Sequence, residues 1–186
     1  MPCGCGKKAD GTIHFMGNPN SDMPDPLNWG PILWKYLHCL TEKIGMSGNF
    51  IVDIDQYNLI ETLIKMLYLI IPCPECQAHA QAYISTNPLP SLKGLNDINH
   101  RSTIRNWLFA FHTHVRTFKG QPVIINTPEE CQAHYNGCAI LKCDYDLFIQ
   151  NGANAVRLGW IKVENWRKWY TTSEKLRITI GNIVIN

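Results

Sequence analysis

The chain has 186 residues, 45% of them hydrophobic and 17% charged, with a formal net charge of +2. That length suits one domain with room for a real core, and the near balance of charge excludes the strongly basic face that nucleic acid binding needs. No apolar run approaches the roughly 20 residues that span a bilayer, and the start, Met1-Pro2-Cys3-Gly4-Cys5-Gly6-Lys7-Lys8, lacks the apolar stretch of a secretory leader. The protein is therefore expected to stay in the cytosol or be packaged from there. Eight cysteines stand at Cys3, Cys5, Cys39, Cys73, Cys76, Cys131, Cys138 and Cys143. In a reducing compartment they read as catalytic or metal-binding rather than as staples.

Residues 1–26, rich in Gly, Pro, Asn and Asp, read as a flexible arm carrying a Cys-x-Cys. Asn28 is the expected N-cap of a first helix, with Pro31 early in it and Leu33, Leu37, Leu40 and Ile44 on its apolar face. Gly45 and Gly48 end it. Asp53 or Asp55 is expected to cap a second helix with two apolar stripes. Tyr57, Ile60, Ile64, Leu67 and Ile71 form one; Leu59, Leu63, Met66 and Ile70 form the other. Such a helix is buried on two sides, either at the centre of the domain or in a subunit interface.

Pro72 stops that pattern, and Cys73-Pro74-Glu75-Cys76 opens a third helix that Asn87-Pro88 ends. Cys73 thus falls near a helix N-terminus, where unpaired N–H groups and the macrodipole favour a thiolate. A fourth helix starts near Asp97 or Asn99, carries Ile104, Trp107, Leu108, Phe111, Val115 and Phe118 on one face, and ends before Gly120-Gln121-Pro122. Thr127-Pro128-Glu129-Glu130 reads as a capping box opening a short helix. Residues 136–153 show no clear pattern, residues 154–170 suit a helix carrying Trp160, Trp166 and Trp169, and Leu176 to Ile185 reads as a β-strand that must pair with something. Four consecutive amphipathic helices predict a mainly α fold, an up-and-down four-helix bundle with a short fifth helix and an irregular C-terminal extension over 136–186. Bundles hold cofactors between facing helices.

Trp34 and His38 share one helix face, and His112, Val115, Arg116 and Lys119 follow one another along another helix. Taken singly, these are also what core packing and polar helix faces produce. The Cys73-x-x-Cys76 pair alone reads either as a redox disulfide or as half a zinc site. Together, Trp34-x-x-x-His38, Pro72-Cys73-Pro74-Glu75-Cys76 and Trp107-x-x-x-x-His112 occur in an order that resembles the Erv/ALR family of FAD-linked sulfhydryl oxidases. The blocks Asn28-Trp29-Gly30-Pro31-Ile32-Leu33-Trp34-Lys35-Tyr36-Leu37-His38 and Asn106 to Arg116 carry the resemblance over roughly residues 27–124, especially to compact members encoded by large cytoplasmic DNA viruses.

The resemblance implies an FAD-binding thiol oxidase domain over 27–135, usually a homodimer through its first two helices. It implies that a substrate thiolate attacks the outer cysteine, Cys73, and that Cys76 lies against the flavin and passes electrons on to oxygen, giving peroxide. Gly30, Trp34, His38, Cys76, His79, Trp107, His112, Val115, Arg116 and Lys119 are the residues it implies for holding FAD. Protein thiols or a thioredoxin-like carrier are the implied substrates, virion or capsid proteins the implied partners, and the infected cell's cytoplasm or the virion the implied location. Family members usually read His-Asn-x-Val-Asn where this chain has His112-Thr113-His114-Val115-Arg116, and Lys-Pro where it has Gln121-Pro122. Arg116 offers a phosphate a charged fork in place of an amide.

Cys3 and Cys5 fit a shuttle, since a small Cys-x-Cys ring is easily exchanged and a flexible arm of this length reaches tens of ångströms. Cys131, His134, Cys138 and Cys143 could hold zinc or form one disulfide beside a free thiol, while Cys39 reads as a buried small residue. Two other readings stand beside the oxidase: a zinc module, and a capsid or assembly component on the same bundle whose strand-like tail adds to a partner's sheet.

Overall fold

The computed structural model describes residues 24–90, 97–181 and 183–185. Cys3, Cys5 and the arm up to residue 23 lie outside the described residues.

Helix α1 spans Pro26–Lys43. Its N-cap is Asp25, whose Oδ1 accepts the Leu27 N–H at 2.8 Å, and not the expected Asn28. An Asp followed directly by Pro at the first helical position is the stronger start signal, because the cap satisfies one N–H and Pro removes another. Helix α2 spans Phe50–Lys65 and is capped by Asn49, which accepts from Ile51 and Val52. Asp53, expected as a cap, is buried and instead ties down the preceding turn, accepting from Ser47 N and Oγ at 3.1 and 2.7 Å. Gly45 makes that turn at a φ of 67°, and its N–H donates to the buried Gln56 Oε1. A 3-10 turn, Leu67–Ile70, follows α2.

Helices α3 (Pro74–Thr86), α4 (Asp97–Phe118) and α5 (Pro128–Tyr135) complete the mainly α bundle and its short fifth helix. The α5 capping box forms: Thr127 Oγ1 accepts the Glu130 N–H at 3.1 Å, and Glu130 Oε2 accepts the Asn126 N–H at 2.7 Å. α1 packs on α4 and α5. A two-pronged ion pair, Arg105 to Glu42 at 2.6 and 2.7 Å, crosses from α4 to α1 with both side chains buried. Each charge needs the other there, so the pair fixes how the two helices sit.

The C-terminal extension is helical rather than irregular. α6 spans Lys142–Arg157 and α7 spans Val163–Thr179, so the break falls inside the expected 154–170 helix, and the expected strand from Leu176 is the last turn of α7. Only Val184–Ile185 (β2) is strand, and it pairs in parallel with Ile140–Leu141 (β1) of the same chain instead of with a partner. The alternation of residues 176–180 is overridden by burial of Leu176 against the bundle. α7 covers the second side of α2: the fully buried Trp169 donates its Nε1–H to Leu63 O at 3.2 Å, Gln56 Nε2 donates to Thr179 O at 3.0 Å, and Tyr36 and Ser173 share a hydroxyl hydrogen bond of 2.5 Å. Tyr36, Phe148, Trp166 and Trp169 form one aromatic cluster between α1, α6 and α7. Gly152 of α6 lies against the Trp166 ring, where a Cβ has no room.

Cys39 is not a lone small residue. It forms a disulfide with Cys138, joining the C-terminal part of α1 to the chain just past α5. Among the described residues, no helix is long and apolar enough to cross a membrane.

Candidate functional site

Pro72 and Pro74 bracket Cys73, which holds an extended backbone with φ of −139° and caps α3. Its Sγ accepts the Cys76 N–H at 3.2 Å, so the first sulfur receives an orphan donor of the helix it opens. Gln77 locks this entry, its Nε2 donating to Ile71 O at 2.8 Å. Cys73 is only 4% exposed, which differs from the open outer position that the sequence resemblance implies. Cys76 is half-buried and lies on a cavity wall. Burial, then the hydrogen bond and charge of Cys73, push the Cys76 thiol up to about 11, with Lys119 opposing.

That cavity measures about 700 Å³ and lies between α1, α3, α4 and the C-terminal end of α5. One wall is built from flat rings. Trp34 and His112 stack at 4.1 Å with planes 6° apart, and Phe111 meets Trp34 edge-on at 5.4 Å. Behind His112 stands His38, 2% exposed, with its Nε2 3.2 Å from His112 Nδ1. Tyr135 of α5 stacks on His38 at 4.4 Å and 9°, and Cys131, one turn earlier, places Sγ 3.6 Å from His38 Nδ1. Burial and the neighbouring His112 depress His38 to about 3; burial and Arg116 depress His112 to about 4. Both rings are neutral at neutral pH.

One turn further along α4 the wall is cationic. Arg116 and Lys119 line it, Arg116 being steadied by Nε donating to Pro122 O at 2.8 Å. His79 lies one helical turn past Cys76, with its Nε2 3.0 Å from His114 Nε2 and its ring stacked on Phe118 at 3.8 Å.

Of the residues singled out from sequence, Gly30, Trp34, Cys76, His79, His112, Val115, Arg116 and Lys119 meet on this cavity. His38 and Trp107 do not line it. His38 acts from behind His112, and Trp107 is buried beside Tyr83 and Phe111 with its Nε1–H donated to Asn87 O at 2.7 Å. The cavity also takes in Lys35, Gln121, His134 and Tyr135. His134 stands out in the sequence only as a zinc candidate and Gln121 only as a departure from the family pattern; Tyr135 carries a weaker signal, an aromatic residue spaced four from Cys131 on a capped helix. The zinc set is taken apart by the structure: Cys138 is bound to Cys39, Cys131 faces His38 and Cys143 is exposed. No three metal-ligating groups converge among the described residues.

Comparison with known proteins gives the same direction. The Erv1 / Alr family model matches residues 31–136, more than half of the chain. An FAD-linked sulfhydryl oxidase of African swine fever virus (isolate Pig/Kenya/KEN-50/1950) is 28% identical over 98 residues, covering 53% of this chain and 73% of that protein. The probable FAD-linked sulfhydryl oxidase OPG072 of Monkeypox virus is 31% identical over 77 residues, covering 40% of this chain and 70% of that protein. The putative FAD-linked sulfhydryl oxidase 096R of Invertebrate iridescent virus 3 is 26% identical over 98 residues, covering 53% and 60%. No solved structure matches.

Proposed function

The chain belongs to the Erv1 / Alr family, and from that premise we propose that it is an FAD-linked sulfhydryl oxidase that forms disulfides in protein thiol substrates. The observation that carries this reading is the position of Cys76 on the wall of the same cavity that holds the Trp34–His112 ring stack and the Arg116 and Lys119 cations.

FAD fits this cavity. A volume near 700 Å³ lies within the range of cofactor sites. Flat rings suit an isoalloxazine or adenine face, and two cations suit a pyrophosphate. Trp34, His112, Val115, Arg116 and Lys119 would hold it, with Gly30 leaving open space on the lining. When bound, the flavin supplies a two-electron acceptor that thiols lack and passes the electrons to oxygen.

The chain's own part is disulfide exchange. In the oxidised pair, a substrate thiolate attacks Cys73 Sγ, a substrate–Cys73 bond forms, the Cys73–Cys76 bond breaks, and the electron pair leaves on Cys76. A second substrate thiolate then displaces Cys73, which releases the substrate disulfide. Cys76 becomes the leaving thiolate beside Lys119, whose charge favours that form, and it does so on the cavity side. Because Cys73 is buried, attack requires the Pro72–Pro74 corner to open, and Gln77 is the latch on it.

Residues 27–135 form the oxidase unit in this reading. Residues 136–186 add α6 and α7, which brace α1 and α2. The relatives are viral proteins named as sulfhydryl oxidases, and disulfide formation in virion proteins is the task this reading assigns. A homodimer through the first two helices would use the exposed Met46, Phe50 and Ile51, since α7 already covers the other side of α2. The test is oxygen uptake and peroxide formation with a small dithiol. Stoichiometric peroxide that disappears in Cys76→Ser is expected; dithiol-independent or Cys76-independent uptake contradicts the reading.

A further inference from the structure

Cys131 lies outside the Cys73–Cys76 pair and off the cavity, yet it is 1% exposed and aimed at a ring that touches the ligand wall. Three groups form an unbroken line: Cys131 Sγ to His38 Nδ1 at 3.6 Å, His38 Nε2 to His112 Nδ1 at 3.2 Å, and His112 on the cavity. Each neutral imidazole has one donor nitrogen and one acceptor nitrogen. The line therefore has only two self-consistent states. Either every link donates towards the cavity, or every link donates away from it.

We propose that Cys131 is a positioning residue that sets this direction. Its S–H donates to His38 Nδ1, so His38 carries its proton on Nε2 and donates to His112 Nδ1, and His112 keeps its proton on Nε2, the remaining nitrogen of a ring on the cavity wall. The site then offers a bound ligand a hydrogen-bond donor there. The second half rests on the oxidase reading above, because flavin and phosphate groups are rich in acceptors.

Two observations select this direction, and a third keeps the rings aligned for it. Sulfur is a weak acceptor, whereas an imidazole nitrogen is a good one, so S–H to nitrogen is the better bond. Burial and the Glu42 carboxylate push the Cys131 thiol up to about 11, which keeps the proton on sulfur. Stacking of His38 on Tyr135 and of His112 on Trp34 holds both ring planes in the line. α5 supplies both Cys131 and Tyr135, and the Cys39–Cys138 disulfide fastens its end to α1 beside His38.

The experiment is nitrogen-15 NMR of the histidine rings in the full chain, with and without FAD, for the wild type and Cys131→Val, which keeps apolar volume but has no donor. The expected wild-type result is the Nε2–H tautomer at both His38 and His112, with or without FAD. In Cys131→Val both rings should lose that preference and FAD should bind about tenfold more weakly, the loss of one oriented hydrogen bond. A wild-type His38 protonated on Nδ1 would overturn the proposal whatever the variant does, as would Cys131→Val with both tautomers unchanged. A wild type with the expected tautomers that binds no FAD would overturn the oxidase reading and leave the tautomer assignment standing.

Discussion

Trp34 and His112 face each other flat on the cavity wall, 4.1 Å apart and 6° from parallel. α1 brings one ring and α4 the other, so the stack also reports how these two helices are set. Trp34 is half-buried and sits on the cavity, so its loss removes contact area from any ligand there. Trp34→Ala is expected to weaken FAD binding by about 1–3 kcal/mol, a factor of roughly 5 to 150. Titration of the released apoprotein with FAD, followed by flavin fluorescence, measures it.

Cys73 and Cys76 are separable from cofactor binding. Only Cys76 lies on the cavity, and neither sulfur is needed to form the ring stack or the cationic end. Cys73→Ser and Cys76→Ser should each lower dithiol turnover by about 1,000-fold or more, the scale of losing an essential nucleophile. Both should retain bound FAD, which the ratio of visible to ultraviolet absorbance reads.

His38 and His112 make the protein acid-sensitive. Their folded values, about 3 and about 4, lie below the unfolded value of 6.5. Between those limits the unfolded chain binds more protons, so stability is full above about pH 6.5 and falls as pH drops towards 4. The slope is up to about 1.4 kcal/mol per pH unit for each ring. Denaturant melts at pH 7, 6 and 5 should show this decline, and His112→Gln should flatten it by about half.

The Cys39–Cys138 disulfide closes a loop of sequence separation 99. Replacing both cysteines by Ser should cost roughly 2–4 kcal/mol of stability. It should also loosen α5 and with it Tyr135 and Cys131, which hold His38. Guanidinium unfolding of wild type and double variant, with FAD affinity alongside, checks both effects.

The Cys3-x-Cys5 spacing predicts a shuttle role. Replacing both by Ser should slow oxidation of a folded protein dithiol at least about tenfold, the order that tethering contributes. Rates on a small dithiol should not change.

Much of this was legible in the chain. Pro72-Cys73-Pro74-Glu75-Cys76 announced both a helix start and a sulfur pair because Pro and a capping side chain act locally. The Trp34, His112 and Arg116 spacings placed those residues on the right helix faces, and helix geometry carried them to the cavity. What was hidden is non-local. Nothing near Cys39 marks Cys138 as its partner. The cap of α2 is a local exception: Asp53 has the residue type of a cap, but Asn49 takes that place and Asp53 bonds Ser47 across the preceding turn. The tail read as a strand because apolar alternation is visible in sequence, whereas the α2 surface that draws Trp169 and Leu176 into a helix is not.

The most direct test of the account is the visible absorption spectrum of the purified protein, recorded without oxygen before and after one equivalent of a dithiol. The account predicts a flavin spectrum that bleaches on adding dithiol and returns when air is admitted. A flavin that stays oxidised, or a colourless protein that takes up no added FAD, would contradict it.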